Sequence, residues 1–323
     1  DLRQELREGN RSIFSEKLKE LLADRISRGQ QSMLFLNRRG YAGFVSCRSC
    51  GHVMKCPHCD VSLSEHGNGG RGKSMLICHY CGYSEESPAV CPHCGSRYIN
   101  GFRAGTQQVE EKLKEMFPGV RTLRMDADTT RTKDSYERIL SAFSNKEADV
   151  LIGTQMIVKG HDFPNVTLVG VLAADLSLNA GDYRAGEKTF QLLTQAVGRA
   201  GRGELPGEAL IQTYQPEHYA VVCAAEQNYE KFYNEEIIYR EMVGYPPVSH
   251  MLAVQIFSRS EESGRRLAEK LSASVRSVYG ITAGGRGEEG SGQIPELQLI
   301  GPGAASIGRI NDIFRFVFYV KSL

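Results

Sequence analysis

Short apolar runs alternate with amphipathic stretches along most of this chain. The short apolar runs at 33–36, 120–125, 149–153, 167–172 and 208–214 read as strands. Between them, 15–28, 107–117, 133–145 and 188–200 repeat apolar side chains at helical spacing. Ser15 is placed to cap the first of these helices, and Val109, Leu113 and Met116 share one face of the second. Strands alternating with helices predict an α/β fold, a doubly wound parallel sheet with its functional loops beyond the strand C-termini.

Past residue 231 the pattern changes. A helical stretch ends at Tyr245-Pro246-Pro247, because proline cannot continue a helix and restricts the residue before it. A strand at 251–257 follows, then an amphipathic helix over 261–279 with Leu267, Leu271, Val275 and Val278 on one face. A glycine-rich loop at 283–293 and strands at 297–300 and 314–320 complete a small α+β domain of βαββ order. The expected organisation is an α/β domain formed by 1–46 and 100–230, an insert at 47–99, and a linker helix with C-terminal domain at 231–323.

Composition adds little until the cysteines are placed. At 323 residues, 41% hydrophobic and 24% charged, the chain suits a globular protein of two or three domains. No run approaches the roughly 18 apolar residues of a membrane span, and no secretory leader opens the chain, so a cytoplasmic protein with no membrane partner is expected. Eight of the nine cysteines form four Cys-x-x-Cys pairs: Cys47/Cys50, Cys56/Cys59, Cys78/Cys81 and Cys91/Cys94. Two intervening residues let both thiolates of one turn face one ion, and two such turns complete a tetrahedron around Zn²⁺. Gly51, Gly82 and Gly95 follow their pairs, where a turn calls for positive φ. A disulfide framework belongs to small secreted domains, and a redox role needs one such motif rather than four. Two structural Zn²⁺ sites are the expectation. Residues 61–66 and 74–77 read as a hairpin that brings the second and third pairs together, which favours nested sites: Cys47, Cys50, Cys91 and Cys94 in one, Cys56, Cys59, Cys78 and Cys81 in the other. His52, His58, His79 and His93 are then bystanders, and Cys223, in an apolar helical pattern, is a buried thiol. Bound as thiolates to two Zn²⁺, the eight cysteines take the formal charge from +1 to −3.

Residues 67–74 satisfy the phosphate-loop pattern G-x-x-x-x-G-K-[ST]. That loop works by passing from a strand into a helix N-terminus, and here a short apolar run enters a zinc turn instead, so Lys73 is read as part of a hairpin tip. Three other loops carry chemistry. Gly105-Thr106-Gln107 opens a helix with amides and a hydroxyl for an anion. Residues 153–165 follow a strand, with Thr154, Gly160 and Asp162 as polar or permissive points. Gln195-Ala-Val-Gly-Arg199-Ala-Gly-Arg202 ends a helix with two arginines three apart, side chains suited to clamping charge on a transferring phosphoryl group. By itself this last segment reads better as a solvated helix end with glycine caps.

The combination reads differently. Gln195-x-x-Gly-Arg-x-Gly-Arg202 resembles motif VI of superfamily 2 helicases, and 153–165 resembles motif V; both occur in the second RecA-like lobe of those motors. With an eight-cysteine insert, the chain resembles the PriA (primosomal protein N′) family of replication-restart helicases. The resemblance extends to Asn37-Arg-Arg-Gly-Tyr41, Gly105-Thr-Gln-Gln-Val-Glu-Glu111, Arg124-Met-Asp-Ala-Asp-Thr-Thr130, Gly244-Tyr-Pro-Pro247 and Gly301-Pro302, essentially the whole chain.

The resemblance implies an ATP-dependent 3′→5′ DNA helicase that recognises stalled or abandoned replication forks and restarts replication by primosome assembly. It implies that Arg199 and Arg202 reach the ATP phosphates, Arg202 as arginine finger, while Gln195 couples nucleotide state to lobe position. Gly160 and Asp162 lie near the γ-phosphate or ribose. Thr106, Thr154 and Lys159 contact the tracked DNA strand; for Arg309 and Arg315 a DNA contact and a solvated hairpin stand as equals. The implied partners are forked and single-stranded DNA, the tail of single-strand-binding protein, and the primosome and helicase-loading proteins at the nucleoid. ATP and Mg²⁺ serve the whole protein. The family's first lobe carries the phosphate loop and an Asp-Glu-x-His, whereas this chain has no Asp-Glu dipeptide. A C-terminal portion holding half an ATP site, inactive as an ATPase alone, is therefore expected. Where the family often shows Pro-x-Pro after Gly-Pro, this chain has Gly303-Ala-Ala-Ser306. The competing class is a non-motor zinc-ribbon scaffold that binds nucleic acid or protein.

Overall fold

The computed structural model describes residues 1–36, 45–57, 61–66, 74–78, 81–101, 105–126, 129–130, 133–157, 162–281 and 297–322. The chain divides into two compact units. One comprises Asp1–Val53, Pro88–Ala180 and Arg184–Phe232; the other comprises Met54–Ser87, Gly181–Tyr183 and Tyr233–Leu323. The division passes through the cysteine-rich segment. In chain order the elements begin α1 (Leu2–Arg7), α2 (Glu16–Ser27), β1 (Gln31–Phe35), β2 (Val45–Cys47), β3 (Ser64–His66), β4 (Met75–Ile77), β5 (Ser84–Glu86) and β6 (Ile99–Gly101). There follow α3 (Thr106–Met116), β7 (Thr122–Met125), α4 (Lys133–Ser144), β8 (Val150–Gly153), β9 (Val166–Val171), α5 (Asp175–Leu178), α6 (Ala185–Val197) and β10 (Glu208–Ile211). The last are α7 (Tyr219–Ala225), α8 (Tyr229–Val243), β11 (His250–Ser258), α9 (Glu261–Tyr279), β12 (Leu297–Ile310) and β13 (Ile313–Ser322). Among these helices none is long and apolar enough to cross a membrane.

The first unit is built on a parallel sheet in the order β10-β9-β1-β8-β7. Every residue of β1, β8 and β9 is buried, the polar Gln31, Ser32 and Thr167 included. Successive side chains enter opposite cores. Met33, Phe35, Leu151, Val169 and Val171 pack with Phe143 of α4, Phe190 and Leu193 of α6 and Cys223 of α7. Leu34, Val150, Ile152 and Leu168 pack with Leu18 and Leu22 of α2 and Val109 and Leu113 of α3. Helices therefore cover both faces. The Ser15 hydroxyl accepts the Leu18 N–H at 3.2 Å and starts α2. Strand β10 stops at Ile211, three residues short of the expected end, because the Tyr214 N–H turns to the carboxylate of Asp175.

The second unit contains an antiparallel sheet in the order β11-β13-β12, with α9 against one face. Strand β12 runs past the expected end at residue 300, through a register shift between Ile300 and Gly303. It meets β13 at Asn311-Asp312, both at positive φ (48° and 60°), the geometry of a two-residue hairpin turn. Most of the apolar stripe of α9 faces solvent. Leu267, Leu271 and Val278 are exposed; the helix buries Gly264, Ala268 and Ser272, with Val275 packed at the margin. Small residues four apart let the helix settle onto large rings: a Cβ at Gly264 would lie 2.8 Å from the Phe316 ring. The same unit holds the antiparallel strands β3-β4-β5. There the backbone of Gly82 comes so close to β12 that a Cβ on Gly303 would lie 2.9 Å from the Gly82 nitrogen.

Candidate functional site

Two cysteine clusters form from three turns of one design. In each, the first cysteine's N–H donates to a carbonyl five residues on (Cys47 to His52, Cys78 to Tyr83, Cys91 to Ser96). A glycine N–H four residues on returns to the cysteine carbonyl, from Gly51, Gly82 and Gly95. Those glycines have φ of +79°, +79° and +70°. Cys56 makes the matching bond to Val61. The sulfurs of Cys47, Cys50, Cys91 and Cys94 converge in the first unit, and those of Cys56, Cys78 and Cys81 in the second, the nested grouping. Sγ–Sγ separations are 3.6 Å for Cys47–Cys94, 3.8 Å for Cys50–Cys91 and 3.5 Å for Cys56–Cys81. A tetrahedron with Zn–S near ~2.3 Å sets sulfurs about 3.8 Å apart, so the donor set fits structural zinc. Burial, with the neighbouring thiols adding to it, pushes the Cys50 thiol up to about 12 in the metal-free cluster, against an opposing backbone hydrogen bond at His52. A bound cation reverses that preference. His52 and His93 stack in parallel at 5.7 Å, and burial followed by the His93 charge lowers the His52 pKa. Cys59, His58 and His79 lie outside the described residues, as does Lys73; the residue after them, Ser74, leads into strand β4 and no helix.

A second constellation lies at the end of α6. Gln195 is exposed on its last turn. Just beyond, Arg202 folds back so that its Nε donates to the Gly198 carbonyl at 2.8 Å, and its guanidinium pairs with Asp162. Arg199 lies 3.5 Å from the same Asp162 oxygen. Burial, then the charge of Arg202, lowers the Arg199 pKa, while Asp162 opposes. Gly201, at φ +71°, brings the backbone against Gly207, the close approach expected of a glycine there. Three of the predicted nucleotide residues are thus drawn together. Gly160 and Lys159 lie outside the described residues.

Thr106 and Thr154 stand at the C-terminal edge of the same sheet. Thr106 is the first residue of α3, after an N-cap glycine whose backbone offers no side-chain cap. Its hydroxyl donates to Asp126 at 2.6 Å. Asp126 directly follows β7, accepts the Thr129 N–H at 3.0 Å and pairs with Arg124 at 2.8 Å. Thr154 follows β8, its N–H directed to the Met125 carbonyl at 3.3 Å. Asp126 lies inside the quoted Arg124–Thr130 motif and escaped notice as a partner of Thr106. Asp175, which begins α5, was also missed. It is 4% exposed, accepts the Thr213 hydroxyl at 3.0 Å and the Tyr214 N–H at 3.0 Å, and burial pushes its carboxyl up to about 6 against those bonds. Only the return of β10 beside β9 reveals it.

Arg309 and Arg315 do not form one patch. Arg309 pairs across strands with Phe314, 4.9 Å over its ring, and Arg315 pairs with Phe257 at 5.6 Å. Adjacent residues on β13 face opposite sides, so the two arginines occupy opposite faces of the sheet.

A model of the helicase conserved C-terminal domain matches residues 97–204, and a model of the PriA DNA helicase Cys-rich region domain matches residues 56–85. Over 321 residues the chain is 46% identical to Replication restart protein PriA of Bacillus subtilis, a match covering 99% of this chain and 38% of that protein. The PriA of Synechocystis sp. is 44% identical over 321 residues, 99% of this chain and 37% of that protein. The PriA of Haemophilus influenzae is 35% identical over 303 residues, 94% of this chain and 39% of that protein. The chain spans well under half the length of these curated relatives.

Proposed function

The chain belongs by homology with the PriA replication restart proteins along nearly its whole length, and on that premise we propose that it supplies the second motor lobe, cysteine-rich segment and C-terminal part of an ATP-dependent 3′→5′ DNA helicase. The observation that carries this reading is the convergence of Arg199 and Arg202 on Asp162 beyond α6. Asp162 holds both guanidinium groups in place until a nucleotide's phosphates compete for them. Arg202 then acts as arginine finger with Arg199 beside it, and catalysis consists of positioning and charge stabilisation. Gln195 couples nucleotide state to lobe position, and Gly160 and Asp162 lie near the γ-phosphate or ribose. Thr106 and Thr154, at the sheet's C-terminal edge, take phosphates of the tracked strand with Lys159, and Arg309 and Arg315 meet DNA from two faces of the C-terminal sheet. Two structural Zn²⁺, with Cys59 as the eighth sulfur, hold the cysteine clusters and leave no open position for chemistry. ATP and Mg²⁺ are shared with a lobe carrying the phosphate loop. The partners are forked and single-stranded DNA, the tail of single-strand-binding protein and the primosome and helicase-loading proteins, in the cytoplasm at the nucleoid.

The test joins this chain to a first lobe carrying the phosphate loop and compares DNA-stimulated ATPase of wild type and Arg202→Ala. An arginine finger predicts a fall on the order of 10³-fold or more. An unchanged rate favours the non-motor zinc-ribbon scaffold, and measurable ATPase from this chain alone would overturn the half-site reading.

A further inference from the structure

Thr106 and Thr154 are both fastened to residues at the end of β7. The Thr154 N–H reaches the Met125 carbonyl at 3.3 Å, and the Thr106 hydroxyl donates to Asp126 Oδ2 at 2.6 Å. The acceptor is held firmly. Asp126 is 7% exposed. Its Oδ1 accepts the Thr129 N–H at 3.0 Å, its own N–H donates to the Thr129 hydroxyl at 2.9 Å, and its carbonyl accepts the Thr130 hydroxyl at 2.6 Å. Arg124 Nε lies 2.8 Å from Oδ2, and Arg124 Nη1 lies 3.7 Å from Glu110. Glu110 also takes the Lys114 ammonium at 2.9 Å and the Thr122 hydroxyl at 2.7 Å. Cations and carboxylates thus alternate from Lys114 to Asp126, and their formal charges cancel. All of these groups belong to the first unit. Thr106 itself is half-buried at the first turn of α3, and its hydroxyl turns about one bond.

A threonine hydroxyl carries one proton, and a DNA phosphate oxygen can only accept. While that proton lies on Asp126, Thr106 has nothing to give a phosphate. It grips the strand only by turning its proton away from a carboxylate, and hydrogen bonds to ionised acceptors are roughly twice as strong as neutral ones. The two anionic acceptors therefore compete for one proton. We propose that Asp126 is a positioning residue that makes the Thr106 grip releasable. It holds the hydroxyl proton between contacts, yields it to the seated phosphate, and takes it back as the strand advances. This rests on the helicase reading above, in which Thr106 meets the tracked strand.

Asp126→Asn isolates the effect, because the site dictates how the amide sits. The Thr129 N–H needs an acceptor, so Oδ1 stays oxygen and the amide nitrogen replaces Oδ2. That nitrogen donates to the Thr106 oxygen and leaves the hydroxyl proton to a phosphate. Binding of a single-stranded oligothymidylate is titrated on the zinc-loaded chain joined to a first lobe, for wild type, Asp126→Asn, Thr106→Val and the double variant. Asp126→Asn should bind more tightly than wild type. That gain should exceed its gain in the Thr106→Val background by roughly 5- to 10-fold, the difference between giving up a charged and a neutral acceptor. Comparing backgrounds cancels the lost carboxylate charge and the released Arg124, which both share. Weaker binding by Asp126→Asn, or the same gain in both backgrounds, would overturn the proposal. Wild type alone gives a second reading that needs no variant to fold. In the DNA-free protein the Thr106 hydroxyl proton, held in a 2.6 Å bond, should show a nuclear Overhauser contact to the Asp126 methylene, and saturating oligothymidylate should abolish it. A contact unchanged with the strand bound refutes the exchange of acceptors. A wild-type protein that binds no single strand sinks the helicase reading and the proposal together, whereas a bound strand with equal gains sinks the proposal alone.

Discussion

Asp175 gives the first unit a measurable dependence on pH. Its carboxyl is buried at the junction of β9, α5 and β10, and burial raises it to about 6 from an ordinary 3.8. The Tyr214 N–H and the Thr213 hydroxyl favour the charged form but do not overcome burial. A folded pKa above the unfolded one means the folded state binds the proton more tightly. The stability this lends is fully present below pH 3.8 and is lost as pH rises through about 6. About two pKa units correspond to about 3 kcal/mol. Asp175→Asn keeps an acceptor for the Tyr214 N–H and removes the titration, and Thr213 can rotate its hydroxyl to accept from the new amide. Equilibrium urea unfolding, followed by far-UV circular dichroism, should be run on both proteins between pH 4.5 and 8. The difference between them cancels titrations they share, including those of the cysteine clusters. The variant should gain on wild type by about 2 kcal/mol across that range, the rest of the roughly 3 kcal/mol lying below pH 4.5. A difference that stays flat, or wild type gaining on the variant as pH rises, would refute the assignment, because the hydrogen bonds would then hold the carboxylate charged.

Other expectations follow from particular contacts. Gly51→Ala places a Cβ 2.6 Å from the Tyr214 carbonyl at φ +79°, and left-handed backbone alone costs roughly 1–2 kcal/mol; competition with a chromogenic chelator should show the first cluster losing zinc while the second retains it. Gly264→Val drives a side chain into the Phe316 ring and should lower the melting temperature of the second unit. Leu267→Gln, on the exposed stripe of α9, should stay within about 0.5 kcal/mol of wild type. Because burial pushes the metal-free Cys50 thiol up to about 12, zinc uptake should release protons, seen as calorimetric heats that scale with buffer ionisation enthalpy.

Much of the parallel sheet was legible because strands covered on both faces must be largely apolar, as 150–153 and 168–172 are. The Cys-x-x-Cys turns were legible down to their positive-φ glycines, since spacing and conformation there are local. What failed was non-local. Periodicity places Leu267, Leu271, Val275 and Val278 of α9 on one face but records only that a stripe exists; the rings of Phe316 and Phe318 decide that the glycine and alanine stripe goes inward. Strand β12 seemed to stop at Gly301-Pro302, because that pair reads as a breaker unless a register shift absorbs it. The partnership of Asp162 with Arg199 and Arg202 joins residues about forty apart in the chain; motif resemblance put all three near a nucleotide, and only the fold shows them paired.

The two cysteine clusters, although nested within fewer than fifty residues of chain, report on different bodies. Cobalt placed at each would colour each unit separately, and its release would time the opening of that unit. One metal titration thus becomes a clock for the order in which the protein comes apart: loss of the Cys47 cluster marks failure of the parallel-sheet unit, and loss of the Cys56 cluster marks failure of the unit that holds the antiparallel sheet.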